Sequence, residues 1–311
     1  MLALVSSVLI RARRLRREWR FLVMRQVARY VAGRTVASVL IAATRRRRRP
    51  AALIGEQGSL FPELVVDEAV SALRKDGLYI GLRLPPNTFR EIKEYARVGT
   101  RYGEQNERLG FRREGKAAAE QHVGYPFAIA RYFNTISECG AIRSITQDAK
   151  LWQIAAAYCG FPPAFLGVNM WWSYASKALS QTQRSQWAQK YHQDVDGYKF
   201  LKFFFYLVQV GREDGPHVCV KGSHVSKKLS HQFAIRRFSD SEIEEFYPPG
   251  DVSVIEGPAG YGFVEDTACF HKGAPPLSRD RLVLQIVFGA FDYGHASDVR
   301  DSSHLKLATE G

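Results

Sequence analysis

Tyr191-His-Gln-Asp-Val-Asp-Gly-Tyr-Lys-Phe-Leu-Lys-Phe-Phe-Phe-Tyr-Leu-Val-Gln-Val210 is the stretch from which the fold is read. It opens with two polar, metal-competent side chains, His192 and Asp194, and runs into a strand spanning 199–210, rich in aromatic and β-branched residues. Residues two apart in a strand point to the same side, so His192 and Asp194 share a face. Further strands are predicted on both sides of this one, at 168–174, 217–221, 252–256, 261–270 and 281–288, with Gly or Pro in the gaps. Helices precede them. The spacing predicts one over Asp67–Lys75, a second opened by a capping box at Thr88-Phe-Arg-Glu91, and a third over Gln147–Cys159 with Gly160 as its cap. Residues 100–125 read as a long surface loop, and 226–249 as a charged insert with a capping box at Ser239–Glu242, either a lid or a long connection. The expected fold class is mainly β with flanking helices, an antiparallel sandwich or jelly roll.

Eight histidines with ordinary acid content give roughly one His-x-Asp/Glu by chance, so the motif needs context. His192 is the one histidine that has it, and it sits at a strand entrance. Downstream, His271 is expected to end the strand before Lys272-Gly273, and ten residues later Arg281 opens an apolar strand. A charge at the head of such a strand calls for an anionic partner, whereas Arg279 falls in a turn and is the weaker candidate. Two histidines and one carboxylate on one face suit non-haem Fe(II), leaving three octahedral positions for a cosubstrate and O₂. An arginine beyond them suits the far carboxylate of a 2-oxo acid. Trp172, Tyr174, Phe204 and Tyr206 pair by alternation and are the candidates for pocket lining; His224 reads as a turn residue, and His217 receives no role.

The chain of 311 residues carries 44 Lys/Arg against 31 Asp/Glu, but the excess is local. Residues 1–50 hold 14 arginines and one acid, leaving 30 of each sign in the rest. The body therefore offers no electrostatic case for nucleic acid, which makes a nucleic-acid demethylase the least favoured alternative. The N-terminal extension, 1–50, admits three readings: a helix at an anionic membrane surface, with Arg25 and Arg29 on one face and Val23, Val27 and Val31 on another; an organellar targeting segment; or a disordered basic tail or a start placed upstream of the true one, with Met24 as the alternative. A spanning helix over 21–43 is excluded by Arg25, Arg29 and Arg34. Four cysteines without a CxxC pair indicate a reducing compartment, with a cytoplasmic location expected.

Together these residues resemble the phytanoyl-CoA dioxygenase family of Fe(II)- and 2-oxoglutarate-dependent oxygenases, over roughly Asp67 to Phe291. The resemblance rests on Asp76-Gly-Leu-Tyr-Ile80, Tyr191-His-Gln-Asp194, Glu213-Asp-Gly-Pro-His217 leading to Gly222-Ser-His224, and Phe263-Val-Glu-Asp-Thr267 ahead of His271 and Arg281. It implies a double-stranded β-helix (jelly-roll, cupin-like) core at about 165–293 within a 51–311 domain, iron held by His192, Asp194 and His271, and Arg281 bound to 2-oxoglutarate. Related halogenases lack the carboxylate ligand; Asp194 is present, so hydroxylation of an unactivated C–H bond of a small-molecule or lipid-like substrate is the implied outcome, with succinate and CO₂ released. A non-catalytic jelly-roll binding or sensor protein is the alternative.

Overall fold

The computed structural model describes residues 18–45, 58–175, 190–234 and 236–309. Among the described residues, eleven strands form two antiparallel sheets: β1 (Leu78–Arg83), β2 (Arg101–Gly103), β3 (Gly110–Phe111), β4 (Ile129–Tyr132), β5 (Ala164–Ser173), β6 (Phe200–Tyr206), β7 (His217–Val220), β8 (Val252–Ile255), β9 (Tyr261–Glu265), β10 (His271–Gly273) and β11 (Arg281–Gly289). The larger sheet runs β1-β9-β6-β11-β5-β4-β2-β3 and the smaller β10-β7-β8. This is the jelly-roll arrangement, with helices on the outer face of the larger sheet.

Both faces of the larger sheet are covered, which is why β6 and β11 read as nearly continuous apolar runs. On β6, Leu201, Phe203 and Phe205 face outward, and on β11 Leu282, Leu284 and Ile286 do the same. They pack with Leu73 of helix Val66–Asp76 and with Leu151, Ile154 and Tyr158 of helix Ala149–Cys159. The inner residues Phe204, Tyr206, Val283 and Phe263 meet Cys219 and Ile255 of the smaller sheet. Gly77, at φ +72, ends helix Val66–Asp76; a Cβ there would lie 2.4 Å from the Cys269 sulfur, so the turn tolerates only glycine.

Several expectations are corrected. The second helix starts at Pro86, not at a Thr88 cap: Pro86 supplies the first helical φ, and Thr88 is buried inside Pro86–Val98. Residues 100–125 are not a loop; they contain β2, β3 and helix Lys116–Val123, anchored by Glu120, which accepts from Lys116 and from the Phe127 amide. The segment expected as one strand over 261–270 breaks at Asp266, and its second part changes sheet, so His271 opens β10 rather than ending β9. The insert at 226–249 has its capping box, Ser239 with Glu242, and buries Phe238, Ile243 and Tyr247 against Val220 and Phe270.

The extension also departs from the tail reading. Residues 18–28 and Val31–Arg45 are helical, with a break at 29–30 that takes Val31 off the face expected with Val23 and Val27. Met24 is fully buried beside Tyr293. Arg34 reaches into the body: it donates to Asp266 and, 2.9 Å away, to the Tyr198 carbonyl. Residues 18–45 are thus docked on the jelly roll, while 1–17 and 46–57 lie outside the described residues. No helix among the described residues is long and apolar enough to cross a membrane.

Candidate metal centre

His192 and His271 come together through the backbone. The short segment 191–192 pairs with β10 so that the two histidines exchange amide bonds, 3.0 Å and 2.9 Å. Two residues on, the Asp194 amide donates to the Thr267 carbonyl at 2.8 Å. The insert holds the other end, since Tyr191 and Phe238 also exchange amide bonds. This fixes three side chains from two chain segments on one face, with the imidazole rings 4.3 Å apart.

One ligand atom from each of His192, Asp194 and His271 lies within 4.8 Å of the others. His192 Nε2 is 3.8 Å from Asp194 Oδ1, and His271 Nε2 is 3.5 Å from Asp194 Oδ2. Each Nδ1 faces a backbone carbonyl at 3.0 Å, Lys190 for His192 and Cys269 for His271. A carbonyl can only accept, so each Nδ1 carries the proton and each Nε2 offers its lone pair to the centre, the arrangement metal-ligating histidines adopt. The donor set therefore fits a divalent ion of the non-haem iron type.

The electrostatics follow from burial and neighbours. Burial, reinforced by His271, lowers His192 to about 3, so it is neutral at pH 7. Burial would raise Asp194, but Lys202 and then His271 hold it well below the usual carboxylate range. Burial would lower His271, but Asp194 and then Glu265 raise it to about 9, so an ion bound at Nε2 would replace a proton there. Lys202 Nζ sits 2.7 Å from Asp194 Oδ2 and 2.6 Å from Asp196, leaving Asp194 Oδ1 free for an ion. Beneath His271 lie His217 and Glu265, joined at 2.6 Å. Burial raises Glu265 to about 8 and holds His217 well below its ordinary value.

The triad opens into a cavity of about 340 Å³ between the sheets. Phe204, Tyr206, Phe263 and Trp171 form its apolar wall, and Arg281 and Arg131 supply charge. The Arg281 guanidinium donates to the Gly215 carbonyl and, at 3.2 Å, to Ser173 Oγ; its Nε has no partner and no carboxylate pairs with it among the described residues. Gly273 lets it lie there, because a Cβ at 273 would come within 2.9 Å of Nη2. Arg131 is half-buried in the same cavity with a shielded, partnerless Nε, and burial with Arg300 lowers it to about 10. Arg279, by contrast, is exposed and forks onto Asp214 at 3.0 Å through Nε, which accounts for its charge.

Of the expected pocket residues, Phe204 and Tyr206 line the cavity. Trp172 and Tyr174 do not: they share a face, as alternation requires, but it is the outer one, where they pack near Phe111 and Phe127 and Trp172 donates to Tyr132 at 3.0 Å. Trp171 takes the inner position. His224 is buried beside the Gly77 turn, away from the ion site. Sequence reasoning missed Lys202, His217, Glu265 and Arg131. Lys202 had a signal, a lone charge inside an apolar strand, the same sign used for Arg281; His217 had none.

No family model matches the chain, and no curated protein matches it. Solved structures do. A non-heme α-ketoglutarate-dependent carbocyclase from nogalamycin biosynthesis, SnoK, is similar at 15% identity over 75% of this chain and 87% of that one, TM-score 0.49. The epimerase SnoN of the same biosynthesis gives 15% identity over 73% and 82%, TM-score 0.48. HygX from Streptomyces hygroscopicus, with nickel, 2-oxoglutarate and hygromycin B bound, gives 16% over 71% and 86%, TM-score 0.44. At these identities and scores the function is read from the site's own residues.

Proposed function

We propose that this chain is an Fe(II)- and 2-oxoglutarate-dependent dioxygenase that hydroxylates a C–H bond of a small-molecule or lipid-like substrate. The observation carrying this reading is a cavity that joins a two-histidine, one-carboxylate cluster to two guanidinium groups that form no ion pair among the described residues. A buried cation without a counterion is costly, so the cavity is suited to an anion, and two such cations suit a dicarboxylate. His192, Asp194 and His271 would hold the iron, with Lys202 keeping one Asp194 oxygen occupied and the residue ionised. Arg281 would pair with the far carboxylate of 2-oxoglutarate, and Arg131 supports the charge of the near one. When bound, ferrous iron with 2-oxoglutarate and O₂ supplies the oxidising power: one oxygen atom enters the substrate and the other the succinate left by decarboxylation. Trp171, Phe204, Tyr206 and Phe263 exclude water around the reacting centre. The resemblance to the phytanoyl-CoA dioxygenase family belongs to the same proposal.

Anaerobic titration of the chain with Fe(II) and then 2-oxoglutarate tests it. A weak visible charge-transfer band should appear in the wild type and be absent in Asp194→Ala. If iron and 2-oxoglutarate give no band, the reading fails; if both bind yet substrate screening never releases succinate, a binding or sensor protein replaces the enzyme.

A further inference from the structure

The docked helix Val31–Arg45 turns an almost wholly apolar stripe to solvent. Ala32, Val36, Val39, Leu40 and Ala43 recur at helical spacing on its exposed side, with Val36, Val39 and Leu40 at 59%, 62% and 61% exposure. The stripe's two hydroxyls are already satisfied inside the helix: Thr35 donates to the Val31 carbonyl at 2.8 Å and Thr44 to the Leu40 carbonyl at 3.0 Å. Such a face needs no water for its polar atoms. On its buried side Arg34 meets Asp266, Ser38 bonds the Arg34 carbonyl, and Ile41 and Ala42 pack on the core of the body.

The stripe continues onto the insert. Val225 shares a cleft with Val39, and the insert meets the start of the helix through the Val31 amide on Gln232 and the Tyr30 ring 5.2 Å from Phe233. Leu229 and Phe233, 66% and 59% exposed, extend the apolar surface there. The sequence around it carries charge of one sign. No acid occurs between Glu18 and Glu56, a span holding nine arginines, and Arg34 among them is paired with Asp266. Arg25 and Arg29 stand at the start of the stripe, while Arg45 at its far end is held on the body, donating to the Ala290 carbonyl at 2.6 Å and lying over the Phe291 ring.

We propose that this face seats on an anionic lipid bilayer, with helix Val31–Arg45 lying in the interface and Arg25 and Arg29 meeting lipid headgroups. An apolar stripe bordered by arginine and free of acids is the make-up of an interfacial helix. Its length of 15 residues and the buried bonds of Arg34 to Asp266 and the Tyr198 carbonyl make it lie on the bilayer rather than cross it. A second copy of this chain would bring like charges together across the same face, which disfavours it as the occupant.

The test is co-sedimentation of the full chain with phosphatidylcholine vesicles and with vesicles containing about one-third phosphatidylserine, near physiological salt. The wild type should bind the anionic vesicles at least about tenfold better than the neutral ones, and Val36→Gln/Leu40→Gln should lose about tenfold or more in that binding. Glutamine keeps both helix and charge, and unchanged far-ultraviolet dichroism with unchanged 2-oxoglutarate binding establishes that the variant is folded. Absence of binding to anionic vesicles overturns the proposal. Equal binding by wild type and variant also overturns it, assigning the attraction to the arginines alone. A concentration-dependent dimer abolished by the variant, without vesicle binding, assigns the face to a second copy instead.

Discussion

Replacing Arg34 by Met removes the guanidinium paired with Asp266, a carboxylate with no solvent exposure at all. Asp266 also accepts from the Tyr158 hydroxyl and, at 3.0 Å, from the Ala268 amide, and its own amide donates to Gly77 at 2.9 Å. It therefore cannot move to water without unpicking the turn that leads from β9 to β10. Breaking a buried pair by removing one partner costs about 3–5 kcal/mol, most of it the penalty of the stranded charge. In a chain of this size that is a fall of roughly 10 °C in Tm. Arg34→Met/Asp266→Asn strands no charge and should recover to within about 1.5 kcal/mol of the wild type. The sign of the pH effect follows from Asp266, which burial would raise but which Arg34 and His224 hold below its ordinary value. Its stabilising contribution is complete above the ordinary carboxylate value near 4 and is lost as pH falls through the depressed folded value, so Arg34→Met should flatten the acid limb of the stability curve. Urea unfolding of the four chains of the cycle, repeated at several pH values, measures this. An Arg34→Met chain within about 0.5 kcal/mol of the wild type would show the extension to be the loose tail its composition suggests, and would refute the reasoning.

Four further outcomes are expected. Arg281→Gln removes the charge facing the far carboxylate and should weaken 2-oxoglutarate binding by about 2 kcal/mol or more, roughly thirtyfold, by the charge-transfer titration, with unliganded metal affinity little changed. Gly273→Ala should act in the same direction by pushing the guanidinium aside, since its Cβ would fall within 2.9 Å of Nη2; unchanged affinity would mean that Arg281 does not hold the cosubstrate. Lys202→Met relieves the pull on Asp194, whose pKa should rise, so the pH below which Co(II) binding fails should move upward. Trp172→Phe loses the bond to Tyr132 and should cost about 1 kcal/mol of stability while leaving 2-oxoglutarate affinity untouched, whereas Trp171→Ala should weaken that affinity.

What the residues themselves determined was local and periodic. Runs of aromatic and β-branched residues along 199–210 and 281–288 marked the two central strands, and the two-residue step from His192 to Asp194 put them on one face. A lone arginine heading an apolar strand was enough to single out Arg281, because burial of a charge demands a partner whatever the fold. Alternation, however, says which residues share a side and not which side is inward; Trp172 and Tyr174 were paired correctly and faced the helices, since β5 is buried on both sides. The break at Asp266 that sends His271 to the other sheet depends on contacts with Gly77 and Thr267 that no local pattern encodes. Lys202 bridging two acids, His217 on Glu265, and above all Arg34 finding Asp266 from 232 residues away were decided by tertiary structure alone. Arginine-rich composition describes a surface only until one of its members is buried, and burial is a property of the folded chain.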